Sequence, residues 1–350
     1  ECFIMLSEGL VHPRYLSLVA MIFVGGWIAT TFLLKRAYSK ILLDLISRNM
    51  LDLRSLEDRD VGHVFNDKNV QDQLVQALLS ARGSDSLWYA RLLKSLEVQN
   101  LDSHILSTLK NQKNMTKIEL LSMLSPQAGD AAIRVFKAVA DPNRQDLMAA
   151  LVKAANRLDT GLSSGFKTEV FKTTPYPEVK AYAVTGLYRQ DPQKYSKIID
   201  TWLDEDDIAE RKAGVIAAGE SGEVSYISGL KKMLGAEKNG PILPVVLAGL
   251  HRLGAPDMNT LVHPYLSHPM ESVRSAALDA FKIEDDDNLR TVIDLLNDPS
   301  NRVHEKAKHK IESASYQNAQ LLVESLTITQ CRVRGGIFYI LKYVDRKNMD

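Results

Sequence analysis

Near its C-terminal end the chain repeats a pattern every thirty residues, and that echo constrains its fold more than any other feature. Ser272-Val273-Arg274 recurs as Arg302-Val303-His304 and again as Arg332-Val333-Arg334. The apolar positions keep register, with Ala277, Ala307 and Ile337, then Phe281, Ile311 and Leu341. In the second half of each unit Leu289 returns as Ala319, Val292 as Leu322 and Leu296 as Leu326. A fixed period of this length, with two helical apolar stripes per unit, marks stacked helical hairpins. Such a stack makes an extended surface rather than an enclosed catalytic pocket.

The clearest unit predicts a first helix over 270–283, because Val273, Ala277, Ala280 and Phe281 share one helical face. Glu284 to Asp287 forms the turn, and its last carboxylates suit the N-terminus of a second helix at about 288–296. That helix buries Leu289, Val292, Ile293 and Leu296 before Asn297-Asp298-Pro299-Ser300 stops it. Looser copies open at Val179-Lys180, Glu210-Arg211 and Ile242-Leu243, and Gly161, Gly165, Gly219, Gly222, Gly235 and Gly240 are expected between helices as left-handed caps.

Asp-Pro in the turn, followed by Val-Arg above a small residue, resembles HEAT repeats, in the short form shared with phycobilin-lyase-type repeats. The resemblance covers roughly 86–350 and is closest from Tyr176 onward. It implies an all-α chain, a right-handed α-solenoid of HEAT-like hairpins.

A different signal precedes the repeats. From Tyr15 to Leu34 no side chain is charged, and twenty mostly apolar residues match a hydrocarbon core of about 30 Å. This predicts one transmembrane helix at 15–34, behind a non-cytoplasmic lead-in at 1–14. Lys35, Arg36, Lys40 and Arg48 follow the run and Arg14 alone precedes it, so the positive-inside rule places the repeats in the cytoplasm. An amphipathic helix and linker are expected over 35–85, with Ile41, Leu42, Leu45 and Ile46 on one stripe. The Arg36 to Leu45 run followed by Leu51-Asp52-Leu53 is similar to bacterial proteins that join a nucleotide (ADP/ATP) carrier-type transporter to HEAT repeats. That similarity implies a protein integral to a bacterial inner membrane. A chain opening on Glu1 is expected to continue a longer polypeptide, and the apolar Ile337, Phe338, Ile340, Leu341 and Val344 to await a covering helix or domain.

Formal charge is balanced, with 43 basic and 43 acidic residues, which argues against a nucleic-acid binder. Asp200, Asp204 to Asp207 and Glu210 make one repeat acidic, whereas Arg302, Lys306, Lys308, Lys310, Arg332, Arg334, Lys342, Arg346 and Lys347 make the end basic. That basic end suits an anionic lipid surface or an acidic partner. Cys2 and Cys331 cannot build a disulfide framework.

Catalytic signatures are missing. Di-iron hydroxylases of the deoxyhypusine type carry repeated His-Glu pairs on HEAT hairpins, but here His304-Glu305 is matched by Arg274-Ser275 and Arg334-Gly335. The acidic stretch at Asp204 lacks the glycine and final glutamate of a calcium loop, and no phosphate-cradling glycine loop is present. The sequence therefore points to a non-enzymatic, membrane-anchored module with no cofactor and no metal, which scaffolds a protein partner at the membrane. The alternative, implied by the junction resemblance, is a regulatory C-terminal region of a nucleotide (ADP/ATP) carrier-type transporter, bound to an adjacent domain of its own polypeptide. Position in the hairpin nominates Lys231, Lys232, Arg290 and Gln320 on a concave face lined by second helices, with Arg302, Arg332 and Arg334 at the basic end.

Overall fold

The computed structural model describes residues 68–343, apart from 159, 237–239, 315–317 and 328–329, together with 21, 23–27 and 30. Every regular element among them is helical, and they fall into two compact units divided between Ala128 and Gly129.

In the first unit the described elements are α1 (Lys68–Ser80), α2 (Ser84–Ser95), α3 (Leu101–Leu109) and α4 (Asn114–Met123). Leu74, Leu78, Leu93, Ile105, Leu109 and Leu120 are fully buried between them. The turn from α1 to α2 is held at both ends by Gln112, whose Oε1 accepts from the Gly83 N–H at 3.0 Å and whose Nε2 donates to the Ala81 carbonyl at 2.9 Å.

The second unit opens with α5 (Gly129–Val139) and then alternates first and second helices. The first helices are α6 (Gln145–Arg157), α8 (Pro177–Tyr188), α10 (Ile208–Ser221), α12 (Leu243–Arg252), α14 (Glu271–Ala280), α16 (Asn301–Glu312) and α18 (Cys331–Tyr343). The second helices are α7 (Gly161–Thr173), α9 (Pro192–Leu203), α11 (Tyr226–Ala236), α13 (Met258–Val262), α15 (Asp286–Asp294) and α17 (Ala319–Glu324). Each of the last three runs into a 3₁₀ turn, at His263–Tyr265, Leu295–Asn297 and Ser325–Thr327. That tightening satisfies terminal carbonyls within a thirty-residue repeat too short for a longer helix.

Each first helix packs directly on the next along the series α6 to α18, whereas from α7 onward the second helices pack on first helices and make no comparable contact with one another. One apolar core runs from Val215 to Ile340. The repeat-echo positions Val273, Ala277, Phe281, Leu289, Val292, Leu296, Val303, Ala307, Ile311, Leu322 and Ile337 all lie in it.

Side chains start the helices, and the acidic tract does so two residues earlier than expected, since Asp285 caps a helix that begins at Asp286. Asp191, Asp207, Asp285, Ser300 and Asn318 each accept a backbone N–H of the helix they precede. Asp285 Oδ1 accepts from the Asn288 N–H at 2.7 Å. Asp285→Ala is expected to lower stability by about 1 kcal/mol, measured by urea unfolding followed by circular dichroism.

Two inter-repeat devices were not anticipated. The first is a buried ion pair: Arg274 Nε and Nη2 donate to the Asp298 carboxylate at 2.7 and 2.8 Å. Arg274 Nη1 also donates to the His268 and Pro269 carbonyls, and Asp298 accepts the Ser300 N–H at 2.8 Å. Arg332 of the next repeat donates to the Asp298 carbonyl at 2.8 Å, so three repeats meet at one turn. The second is a glycine contact. A Cβ on Gly219 of α10 would lie 2.6 Å from Gly249 Cα of α12, so only hydrogen at that position permits the observed approach. Of the glycines expected between helices, Gly222 is a left-handed cap at φ 78°, while Gly165, Gly219 and Gly235 lie inside helices.

The expected integral membrane protein requires correction. No helix among the described residues is long and apolar enough to cross a membrane. The longest, α10, has 14 residues, about 21 Å at 1.5 Å per residue, and carries Glu210, Arg211, Lys212 and Glu220. Of the run at 15–34 only 21, 23–27 and 30 are described, as helix. The rest of it, the stretch over 37–53 and the transporter-like junction lie outside the described residues. At the other end, Ile337 and Ile340 face the core, while Phe338 is 65 % exposed and Val344 lies outside the described residues.

Candidate partner-binding surface

The C-terminal ends of three successive first helices bring basic side chains to one surface. The last turn of α12 carries His251 and Arg252, Lys282 follows α14 directly, and α16 carries Lys306 and Lys310. Cations in the last turn or just beyond it complement the partial negative charge of helix C-termini. The local packing then ties neighbours together. Arg252 pairs with Glu220 of α10 at 2.7 Å. Lys306 bridges back to α14, to Asp279 Oδ2 at 2.7 Å and Ser275 Oγ at 2.8 Å. Lys310 Nζ donates to the Asp279 carbonyl at 3.1 Å.

Lys282 is fixed by its backbone. Asn259 of α13 accepts the Lys282 N–H at 2.8 Å and donates to its carbonyl at 2.9 Å, and Asn259 Nδ2 also lies 2.8 Å from Asn288 Oδ1. The exposed lysine therefore projects from a clamped peptide.

The field at this surface is positive. Partial burial pushes the Lys310 ammonium below its ordinary value, with Lys306 adding to the effect and Asp279 opposing it. His251 is likewise pushed down, by desolvation and then by Lys310, Lys282 and Arg252, against Asp279. Residues separated by up to 59 positions thus act on one imidazole. The arrangement can accept negative charge.

The residues nominated from the sequence are scattered. Lys231 lines a cleft of about 500 Å³ with Leu234, Pro256, Thr260, Leu261 and Tyr265, and Lys232 beside it is exposed. Arg290 is exposed and pairs with Asp287 at 3.3 Å, and Gln320 donates to Glu324 at 3.0 Å. Arg302 is exposed on α16. Arg332 belongs to the turn at Asp298, where it also donates to Asn301, and Arg334 lies against Cys331 at 3.2 Å. These seven do not share one cluster of contacts among the described residues; Lys306 and Lys310 were read from the sequence as part of the basic end, whereas His251, Arg252 and Lys282 were not nominated. From His251 to Lys282 and from Lys282 to Lys310 the separations of 31 and 28 residues straddle the repeat period, and that spacing is the signal that could have joined them.

A cleft of about 530 Å³ beside Arg274 and Asp298 is larger, but the ion pair that walls it is already saturated by protein groups. Among the described residues no group of three or more His, Cys, Asp or Glu could hold a metal. His304 Nδ1 lies 2.6 Å from the Leu296 carbonyl and Glu305 pairs with Lys308 at 2.6 Å, so that dipeptide serves packing.

No protein family matches the chain, and no curated protein is similar to it. Among solved structures, the crystal structure of an engineered protein, a structural-genomics target, matches with 12% identity over 81% of this chain and 90% of that one. Its TM-score of 0.32 is too low to carry an argument about fold or function.

Proposed function

We propose that the chain is a non-catalytic interaction module, a right-handed solenoid of HEAT-like hairpins that binds a protein partner along the first-helix ends of its second unit. One observation carries the reading: basic side chains from three consecutive repeats converge on a surface where Asn259 fixes the backbone of Lys282, the middle one. Stacked repeats offer such rows without any enclosed pocket. The reading as the regulatory tail of a membrane transporter depended on the membrane span and is not retained.

A photo-crosslinking residue tests the surface. Placed at His309, whose side chain is 73% exposed on α16, it is expected to label one partner reproducibly in cells. Placed at Val323 on α17, 54% exposed, it is expected to leave that partner unlabelled. Labelling from Val323 with none from His309 would move the interface to the second-helix side and overturn the proposal.

A further inference from the structure

We propose that this surface recognises an extended, carboxylate-rich segment of the partner protein, one acidic residue for each of three repeats. The inference rests on the interaction reading above and specifies its ligand. Five basic side chains gather here, His251, Arg252, Lys282, Lys306 and Lys310, beside two carboxylates, Glu220 and Asp279. Arg252 takes Glu220 and Lys306 takes Asp279, each at 2.7 Å. The surplus is then His251, Lys282 and Lys310. Lys310 Nζ donates to the Asp279 backbone carbonyl, and an ammonium has three donors.

Geometry sets the spacing of the ligand. Packed helices lie about 8–10 Å apart. A chain in the extended polyproline II conformation advances about 3.1 Å per residue with about three residues per turn, so every third side chain shares one face about 9 Å apart. Acidic residues at every third position therefore meet successive helix ends. The carboxylate of Asp279 is 59% exposed within the strip, which penalises a continuous polyanion such as a nucleic-acid backbone. Separate carboxylates with neutral residues between them avoid that repulsion. A purely structural role for the cations, as caps on helix dipoles, predicts no preference for spacing.

Proton linkage supplies an independent readout. A carboxylate beside His251 offsets the repulsion from Lys310, Lys282 and Arg252, which Asp279 only partly relieves. Binding then takes up a proton and tightens as the pH falls from about 7.5 to about 6.

The test is fluorescence anisotropy on the full chain, with a labelled serine–glycine peptide carrying glutamate at every third position. The spaced peptide is expected to bind more tightly than one of identical composition with contiguous glutamates, and a glutamine version is expected not to bind. The double variant K282Q/K310Q is expected to weaken binding about tenfold, K282R/K310R to restore most of it, and His251→Ala to flatten the pH dependence. Thermal unfolding of each variant checks that the fold is retained, and the arginine pair keeps the test meaningful if the glutamine pair unfolds. Equal binding of spaced, contiguous and glutamine peptides, or no loss in folded K282Q/K310Q, would overturn the proposal. If the peptides fail while His309 still labels a partner, the ligand chemistry is wrong and the surface stands; if both fail, the interaction reading falls with it.

Discussion

Replacing Asp298 by alanine is expected to lower the unfolding free energy of the second unit by about 3–5 kcal/mol. The side chains of Arg274 and Asp298 are 11% and 3% exposed, so removing the carboxylate leaves a guanidinium with little access to water. The same carboxylate also accepts the Ser300 N–H that orients the next helix. Urea unfolding followed by circular dichroism measures the loss, and a loss under about 1 kcal/mol would show the pair to behave as a surface bridge. The effect depends on pH in a defined direction. Burial alone would raise the Asp298 carboxyl, but hydrogen bonds from Arg274 and the Ser300 N–H, with the charges of Arg274 and Arg332, hold it below its ordinary value. A depressed acid contributes its stability above the unfolded pKa of about 3.9 and loses it as the pH falls through the folded value. Wild type and Asp298→Ala are therefore expected to converge in acid.

Gly219→Ala is expected to destabilise the same unit by about 1–3 kcal/mol, although alanine inside a helix normally gains about 0.5–1 kcal/mol over glycine. The sign reverses because the new methyl would sit 2.6 Å from Gly249 Cα, a backbone atom that cannot rotate away. Gly229 of α11 is the internal contrast, since a Cβ there meets nothing within 4 Å. Gly229→Ala is expected to raise the melting temperature while Gly219→Ala lowers it. If both raise it, the α10–α12 contact yields enough to admit the methyl group.

The helical architecture was legible because burial repeats at two nested periods. Val273, Ala277 and Phe281 follow the helical turn, and their counterparts Val303, Ala307 and Ile311 follow the thirty-residue repeat. One cap was legible too, since the acidic tract at 284–287 stands where a turn passes into a helix, whereas Asn318 was not singled out. Close approach was not. Gly219 and a capping glycine look alike in sequence, and only Gly249 on the neighbouring helix distinguishes them. The surface nominated from the sequence starts from a different premise. Choosing Lys231, Arg290 and Gln320 assumed that second helices line the working face, yet Arg290 and Gln320 bond within their own helices at Asp287 and Glu324. His251 and Lys310 become neighbours only through the stacking of α12, α14 and α16. The apolar run at 15–34 matched a membrane span in length and composition, and no described helix has both properties.

First helices that press backbone against backbone, while second helices meet through fewer side-chain contacts, give the second unit unequal stiffness on its two sides. Bending that fans the second helices loosens side-chain contacts such as Phe171–Tyr195 and Asn259–Asn288, whereas bending that parts the first helices must separate Gly219 from Gly249 and Arg274 from Asp298. The unit therefore behaves as a spine hinged along its first helices. A ligand strapped across those helix ends would act as a splint, raising resistance to tension without moving a single core residue.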